Sequence, residues 1–252
     1  MIDTHAHIHV KDYDADRSAV IERARSAGVS KIINVGFDAE GNWEALALAK
    51  QYDFIWCTMG IHPHLANEWN DYVEGTIEDA IKKEDRIVGI GEAGLDYFKN
   101  FQSKELQKEV FKRQIRLAKK HDLPIIIHCR EAFDDCLFLL KEGGSQKALF
   151  HCFTGVAEDA KKILDGGFYI AFTGIITYPS ATAIREAAKI TPMDRIFTET
   201  DCPYLAPQKY RGTRNEPAYV TEVLKKVAEI KDIPPEKAEQ QIEINLNALF
   251  GI

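Results

Sequence analysis

No apolar run in this chain approaches the roughly 20 residues needed to cross a bilayer, which excludes a membrane-spanning helix. The start also lacks the basic stretch, apolar stretch and cleavage site of a secretory leader, since Met1 runs straight into Ile2, Asp3, Thr4 and His5. Cysteine is sparse and odd in number, five residues at positions 57, 129, 136, 152 and 202 with no close CxxC pair. That excludes a disulfide framework and reads as reduced thiols in a cytoplasmic protein. Positive charge is in deficit, with 32 Lys and Arg against 39 Asp and Glu and a formal net charge of -7. A broad basic surface for wrapping duplex nucleic acid is thereby excluded, and any nucleic-acid substrate must be gripped locally. There is no low-complexity segment and no Pro/Gly/Ser-rich linker, so residues 1–252 read as one domain, with no obligate protein partner implied.

What is present is a rhythm. Short β-rich apolar runs at 2–7, 31–36, 54–60, 86–92, 124–129, 147–152, 169–174 and 195–201 predict strands. Between and after them, apolar residues at helical spacing predict helices near 14–27, 39–52, 72–83, 101–121, 131–141, 157–165, 180–190 and 216–230. In 101–121, Leu106, Val110, Phe111, Ile115 and Ala118 share one side while Lys108, Lys112, Lys119 and Lys120 fall largely elsewhere, as on a helix covering a sheet. Ile125-Ile126-Ile127 is continuously apolar, which suits a parallel strand buried on both faces. Eight strands alternating with eight helices in 252 residues, 45% of them hydrophobic, predict an α/β fold, a (β/α)8 TIM barrel. Residues 235–250, introduced by Pro234-Pro235, predict an additional C-terminal helix packed on that barrel.

His5 and His7 form an H-x-H pair whose period-two geometry points both side chains to one face. Glu92, His128, His151 and Asp201 stand at the C-terminal ends of other predicted strands, where a barrel gathers its functional groups. The bland alternative is six unrelated polar residues, each with its own partner, but burying so many is costly without a shared counter-charge. A metal supplies one, and imidazole mixed with carboxylate suits Zn or Mn, with Mg possible where substrate phosphate adds oxygens. Six ligands exceed the needs of one ion that keeps an open position, which implies two divalent cations sharing Glu92. His5, His7 and Asp201 would complete one site, His128 and His151 the other. Such a pair activates water, and Asp201 is placed to act as its general base.

Several stretches resemble the TatD family. They are Asp3-Thr4-His5-Ala6-His7, Gly60-Ile61-His62-Pro63-His64, Gly91-Glu92-Ala93-Gly94-Leu95-Asp96-Tyr97, Ile127-His128-Cys129-Arg130, His151-Cys152-Phe153-Thr154-Gly155, Glu199-Thr200-Asp201 and Arg211-Gly212-Thr213-Arg214-Asn215-Glu216-Pro217. The resemblance spans nearly the whole chain. It implies a TIM barrel with two divalent metals and deoxyribonuclease activity, and carries the metal roles onto His5, His7, Glu92, His128, His151 and Asp201. A Glu at position 92, where many amidohydrolases carry a modified Lys, resembles TatD rather than dihydroorotase-like enzymes.

Other positions are expected around this centre. His62, where the third strand emerges, could touch substrate phosphate or protonate the leaving group, with His64 beside it. Glu199 shares strand parity with Asp201, and Asp3 with His5, so both should face inward as partners of the ligands, as a substrate contact, or as structural ion pairs. Arg130, Lys209, Arg211 and Arg214 could grip phosphate. Tyr97, Phe98, Phe101, Phe153 and Tyr204 could stack on unpaired bases, although such residues more often pack the core.

A deep barrel mouth admits a DNA end or a flexible strand more readily than an intact duplex, so an exonuclease fits best, and the resemblance to TatD implies 3'-5' polarity. The competing readings are a metallohydrolase of an amide, lactone or acyl-nucleic-acid ester, and a non-catalytic metal-binding barrel.

Overall fold

The computed structural model describes residues 1–99 and 101–252. The strands are β1 (Ile2–Ala6), β2 (Lys31–Val35), β3 (Ile55–Met59), β4 (Ile87–Asp96), β5 (Ile125–Arg130), β6 (Ala148–Phe150), β7 (Tyr169–Phe172) and β8 (Ile196–Thr198). All are parallel and neighbour one another in chain order. The helices are α1 (Arg17–Ser26), α2 (Gly41–Gln51), α3 (Asp71–Ile81), α4 (Lys104–Lys120), α5 (Phe133–Gly143), α6 (Ala157–Asp165), α7 (Thr182–Ile190) and α8 (Val220–Lys231), one after each strand, followed by α9 (Pro235–Phe250). This is the predicted (β/α)8 barrel. None of the described helices is long and apolar enough to cross a membrane.

The ring closes where β1 meets the segment leaving β8. Asp201 N donates to His5 O and His7 N to Cys202 O, both at 2.8 Å. Lower in the same seam, Thr200 Oγ1 and Thr200 N donate to Asp3 at 2.6 and 2.9 Å. Side chains alternate across the wall. Ile32, Ile55, Ile125, Ile127 and Ile170 pack with helix residues such as Val20, Ala45 and Phe111. Ile33, Val88, Ile126, Leu149 and Phe197 fill the lower interior, closed off by Ile242, Leu246, Leu249 and Phe250 of α9. Asn245 donates to Met193 O and Ile196 O at 2.8 Å, and Glu243 pairs with Lys31, so α9 covers the N-terminal ends of the strands. Apolar residues therefore plug one end of the barrel, and polar chemistry is left to the other.

Three features of the strands depart from expectation in ways that matter for the site, each for a local reason. Strand β4 does not end at Glu92 but runs on to Asp96, and its pairing with β5 shifts between Ile90 and Ala93. Gly91, at φ +138°, makes this possible, because a Cβ there would lie 2.6 Å from Ile126 O. Strand β8 stops at Thr198, so Glu199, Thr200 and Asp201 lie beyond it, with Asp201 in the left-handed region at φ +55°. In β1 the register slips between Asp3 and Ala6. Asp3 consequently aligns with Ile32 and serves the seam through Thr200, instead of facing the mouth with His5 and His7.

Candidate metal centre

His5 and His7 come from β1 and the residue just beyond it, Glu92 from the middle of β4, His128 from β5, His151 from the residue after β6 and Asp201 from the turn after β8. All six side chains meet at the C-terminal mouth. Glu92 is the centre of the arrangement. Its Oε2 lies 3.5 Å from His5 Nε2 and 3.6 Å from His7 Nε2, while its Oε1 lies 2.8 Å from His151 Nε2 and 3.1 Å from His128 Nδ1. Asp201 Oδ1 completes the first side, 3.8 Å from His5 Nε2 and 3.4 Å from His7 Nε2. The compact triangle on the second side joins His5, Glu92 and His151, and His128 reaches Glu92 separately.

The far nitrogen of two of these rings has an acceptor, which determines where their lone pairs point. His7 Nδ1 donates to Val35 O at 2.7 Å, and His128 Nε2 to Asp96 Oδ2 at 3.0 Å. His151 Nδ1 stands 3.3 Å from Glu199 Oε1 without hydrogen-bond geometry. The opposite nitrogens therefore turn lone pairs toward carboxylate oxygens, which is repulsive unless positive charge stands between them. His151 Nε2, although 2.8 Å from Glu92 Oε1, finds no hydrogen-bond geometry, and His5 Nδ1 is likewise without a partner. Ligand atoms about 2.1 Å from a shared ion lie roughly 3.0–3.4 Å apart. The spacings around Glu92 fall about that range, so the donor set fits divalent cations.

The buried carboxylates and imidazoles shift one another's ionisation. Burial opposes ionisation of Glu92, but His151, His62 and His128 hold it well below the usual carboxylate range. Burial disfavours protonated His151 as well, yet the Glu92 and Glu199 carboxylates raise it well above an ordinary imidazole. His5 shifts the other way, lowered by its burial and by the neighbouring His151.

The predicted outer positions separate. His62 lines the mouth with its Nε2 3.4 Å from Glu92 Oε1, and burial, helped by His128 and His64, pushes it down to about 4. Glu199 is fully buried behind His151, accepting from Cys152 N at 2.6 Å. Arg130 lines the mouth cavity, which measures about 420 Å³. Arg211 stands over the Tyr178 ring, outside that lining. Lys209 pairs with Glu222, and Arg214 with Asp16. Phe153 is core, and the Tyr97 hydroxyl is tied to Asp135. A larger cavity of about 660 Å³ between α1 and α2 contains none of the six ligand residues, so chemistry rather than size identifies the site.

Asp96 was not singled out from the sequence. Its buried carboxylate accepts from His128 Nε2 at 3.0 Å and from His64 Nε2 at 2.8 Å, and so draws these two histidines of the His62, His64 and His128 group together. Strand alternation places residues 92, 94 and 96 on one face, but that signal is usable only if the strand continues past Glu92. Two glutamines of α4, seven residues apart, brace the mouth from behind. Gln107 exchanges hydrogen bonds with the Asp96 backbone at 2.8 and 3.1 Å, and Gln114 with the Ile61 backbone at 2.8 and 2.9 Å. Asn42 does the same for Gly60.

Comparison with known proteins agrees with this geometry. A family model described as TatD related DNase matches residues 2–251. An uncharacterised metal-dependent hydrolase, YabD of Bacillus subtilis, is 41% identical, with 100% of this chain and 99% of YabD aligned. A protein of Cronobacter sakazakii named 3'-5' ssDNA/RNA exonuclease TatD is 35% identical over 99% of this chain and 97% of its own length. The crystal structure of YjjV, a TatD homologue from Escherichia coli, superposes with a TM-score of 0.95 at 30% identity, covering 100% of this chain and 98% of that one. The chain belongs to the TatD related DNase family and is a metal-dependent hydrolase.

Proposed function

We propose that this protein is a 3'-5' exonuclease acting on DNA ends or single strands with two divalent cations, Zn, Mn or Mg, bridged by Glu92. His5, His7 and Asp201 would hold one cation, and His128 and His151 the other. The observation that carries this reading is the presentation of Glu92, whose Oε2 is faced by two histidine nitrogens and whose Oε1 is faced by three. When bound, such cations lower the pKa of a water and offset the charge that develops on a scissile phosphate. Asp201, held ionised against its burial by His7, His5 and His151, is placed to take the proton of that water. His62 lines the mouth beside Glu92 and is placed to meet the phosphate or the leaving oxygen. Arg130 on the rim supplies a guanidinium for the neighbouring phosphate.

Glu199 orients His151 from behind, a role its complete burial favours over substrate contact. Arg211, beside Tyr178, would act only on chain further out along the rim. The exonuclease name of relatives aligned along nearly their whole length supports polynucleotide as the substrate. The five free cysteines fit the cytoplasmic site expected from the sequence.

The test is digestion of single-stranded DNA, single-stranded RNA and duplex DNA, labelled at either end, by metal-reconstituted protein. Parallel arms contain EDTA, a phosphotriester or an amide. Stepwise loss of 3' nucleotides from the single strands, abolished by EDTA, is expected. Turnover confined to the triester or the amide would replace this reading with a different metallohydrolase.

A further inference from the structure

Three exposed aromatic residues stand around the metal centre, and no step of the hydrolysis uses them. Phe98 is 49% exposed, Phe101 63% and Tyr204 53%. Single exposed aromatics are common on protein surfaces and need no explanation. These three are not scattered. Phe98 and Phe101 lie in the connection from β4 to α4, and Tyr204 in the connection from β8 to α8. In a closed ring of eight strands in chain order, β4 and β8 stand across from one another. The aromatics therefore flank the mouth on opposite sides, with the centre between them.

Each ring is also joined to a residue of the cavity wall. Arg130, which lines the cavity, has its guanidinium 3.9 Å from the Phe98 centroid. His64, also in the lining, meets Phe101 edge to face at 4.7 Å. Tyr204 lines the cavity itself, with its ring 6.2 Å from that of His7. A cation over one face of Phe98 and free aromatic surface beside it is the combination that binds unpaired polynucleotide, with phosphate met by charge and bases by stacking.

We propose that Phe98 and Phe101 on one side and Tyr204 on the other are stacking platforms for the unpaired bases that flank the scissile phosphate, and that they make the site selective for single strands. The proposal rests on the nuclease reading above and adds the residues that recognise the bases. Paired bases in a duplex are already stacked on their neighbours and have no free face to offer, so a duplex would forgo these contacts. Stacking is indifferent to base identity, so no sequence preference accompanies the selectivity.

The experiment measures KM for the metal-loaded enzyme on two oligonucleotides of equal length. One is ordinary single-stranded DNA, and the other carries base-less tetrahydrofuran spacers on both sides of the cleaved bond. For the wild-type chain, the spacers should raise KM about five- to 100-fold. Phe98→Ala, Phe101→Ala and Tyr204→Ala should each raise KM on the ordinary strand and shrink the spacer penalty toward one, whereas Tyr204→Phe, which keeps the ring, should keep the spacer penalty. Phe138→Ala, at an equally exposed aromatic on α5, controls for loss of surface apolarity and should change neither KM. Unfolding temperatures establish that each variant is folded. A wild-type enzyme that processes both strands with equal KM, or Ala variants that keep the wild-type KM on the ordinary strand, would overturn the platforms and leave the nuclease reading intact. Wild-type inactivity on both strands with metal present would overturn both proposals together.

Discussion

At the residue scale, function depends on charges that cannot stand next to one another unaided. Asp201 sits in the left-handed region, where a short polar side chain is tolerated, and its carboxylate reaches back to His5 and His7. Asp201→Asn keeps the shape and removes the base, so kcat should fall about 10²- to 10⁴-fold. Unfolding measured by circular dichroism should remain cooperative, and retention of more than a tenth of the wild-type rate would remove Asp201 from the proton transfer. Glu199 acts one layer further back. Glu199→Gln leaves an oxygen for Cys152 N but weakens the grip on His151, and metal affinity should drop about 10- to 100-fold by titration of the apo-protein. The convergence of the HxH pair with Glu92, His128, His151 and Asp201 was legible in the sequence because strand periodicity and strand ends have simple rules. Asp96 was not, because recognising it requires knowing that β4 continues four residues beyond its apolar run.

At the scale of the element, α4 shows how a helix can carry function without contributing a ligand. Its apolar stripe, Val110, Phe111, Ile115 and Ala118, is buried as its spacing predicts, and Ser103 caps its N-terminus by accepting from Leu106 N. Its buried glutamines are the part that periodicity could not interpret. Gln114 satisfies both the N–H and the C=O of Ile61, the residue before His62. Gln114→Leu should therefore destabilise the protein by about 1–3 kcal/mol, because two buried backbone groups lose their partners. Chemical denaturation measures this, and a loss under 0.5 kcal/mol would mean that water replaces the amide.

At the scale of the whole molecule, the barrel separates stability from chemistry along its axis. Helix α9 closes the end away from the ligands, with Leu246 buried among interior strand residues. Leu246→Ala should cost about 2–5 kcal/mol in unfolding free energy while kcat/KM at a permissive temperature stays near wild type. A specific loss of activity in a still-folded variant would show that the two ends are coupled. In the proposed reading, metal acts from the opposite end. Saturating Mn²⁺ at about 100 times its Kd should add about 2.7 kcal/mol to stability by mass action, and EDTA should remove it. Differential scanning calorimetry with and without chelator checks this, and an unchanged Tm would argue against a cation held by the folded state.

The sequence by itself determined the alternation of strands and helices, the apolar strand faces, the C-terminal helix and the residue types of the six side chains that meet at the mouth, since all of these follow from local periodicity and local chemistry. Only the tertiary structure decided that Asp3 serves the seam, that Asp96 and Glu199 hold histidines from behind, and that Arg130 lines the mouth while Lys209 and Arg214 are paired elsewhere. Those outcomes depend on strand register and loop path. A one-residue slip turns a side chain to the other face of the wall, and no local pattern records where distant segments come to lie beside one another.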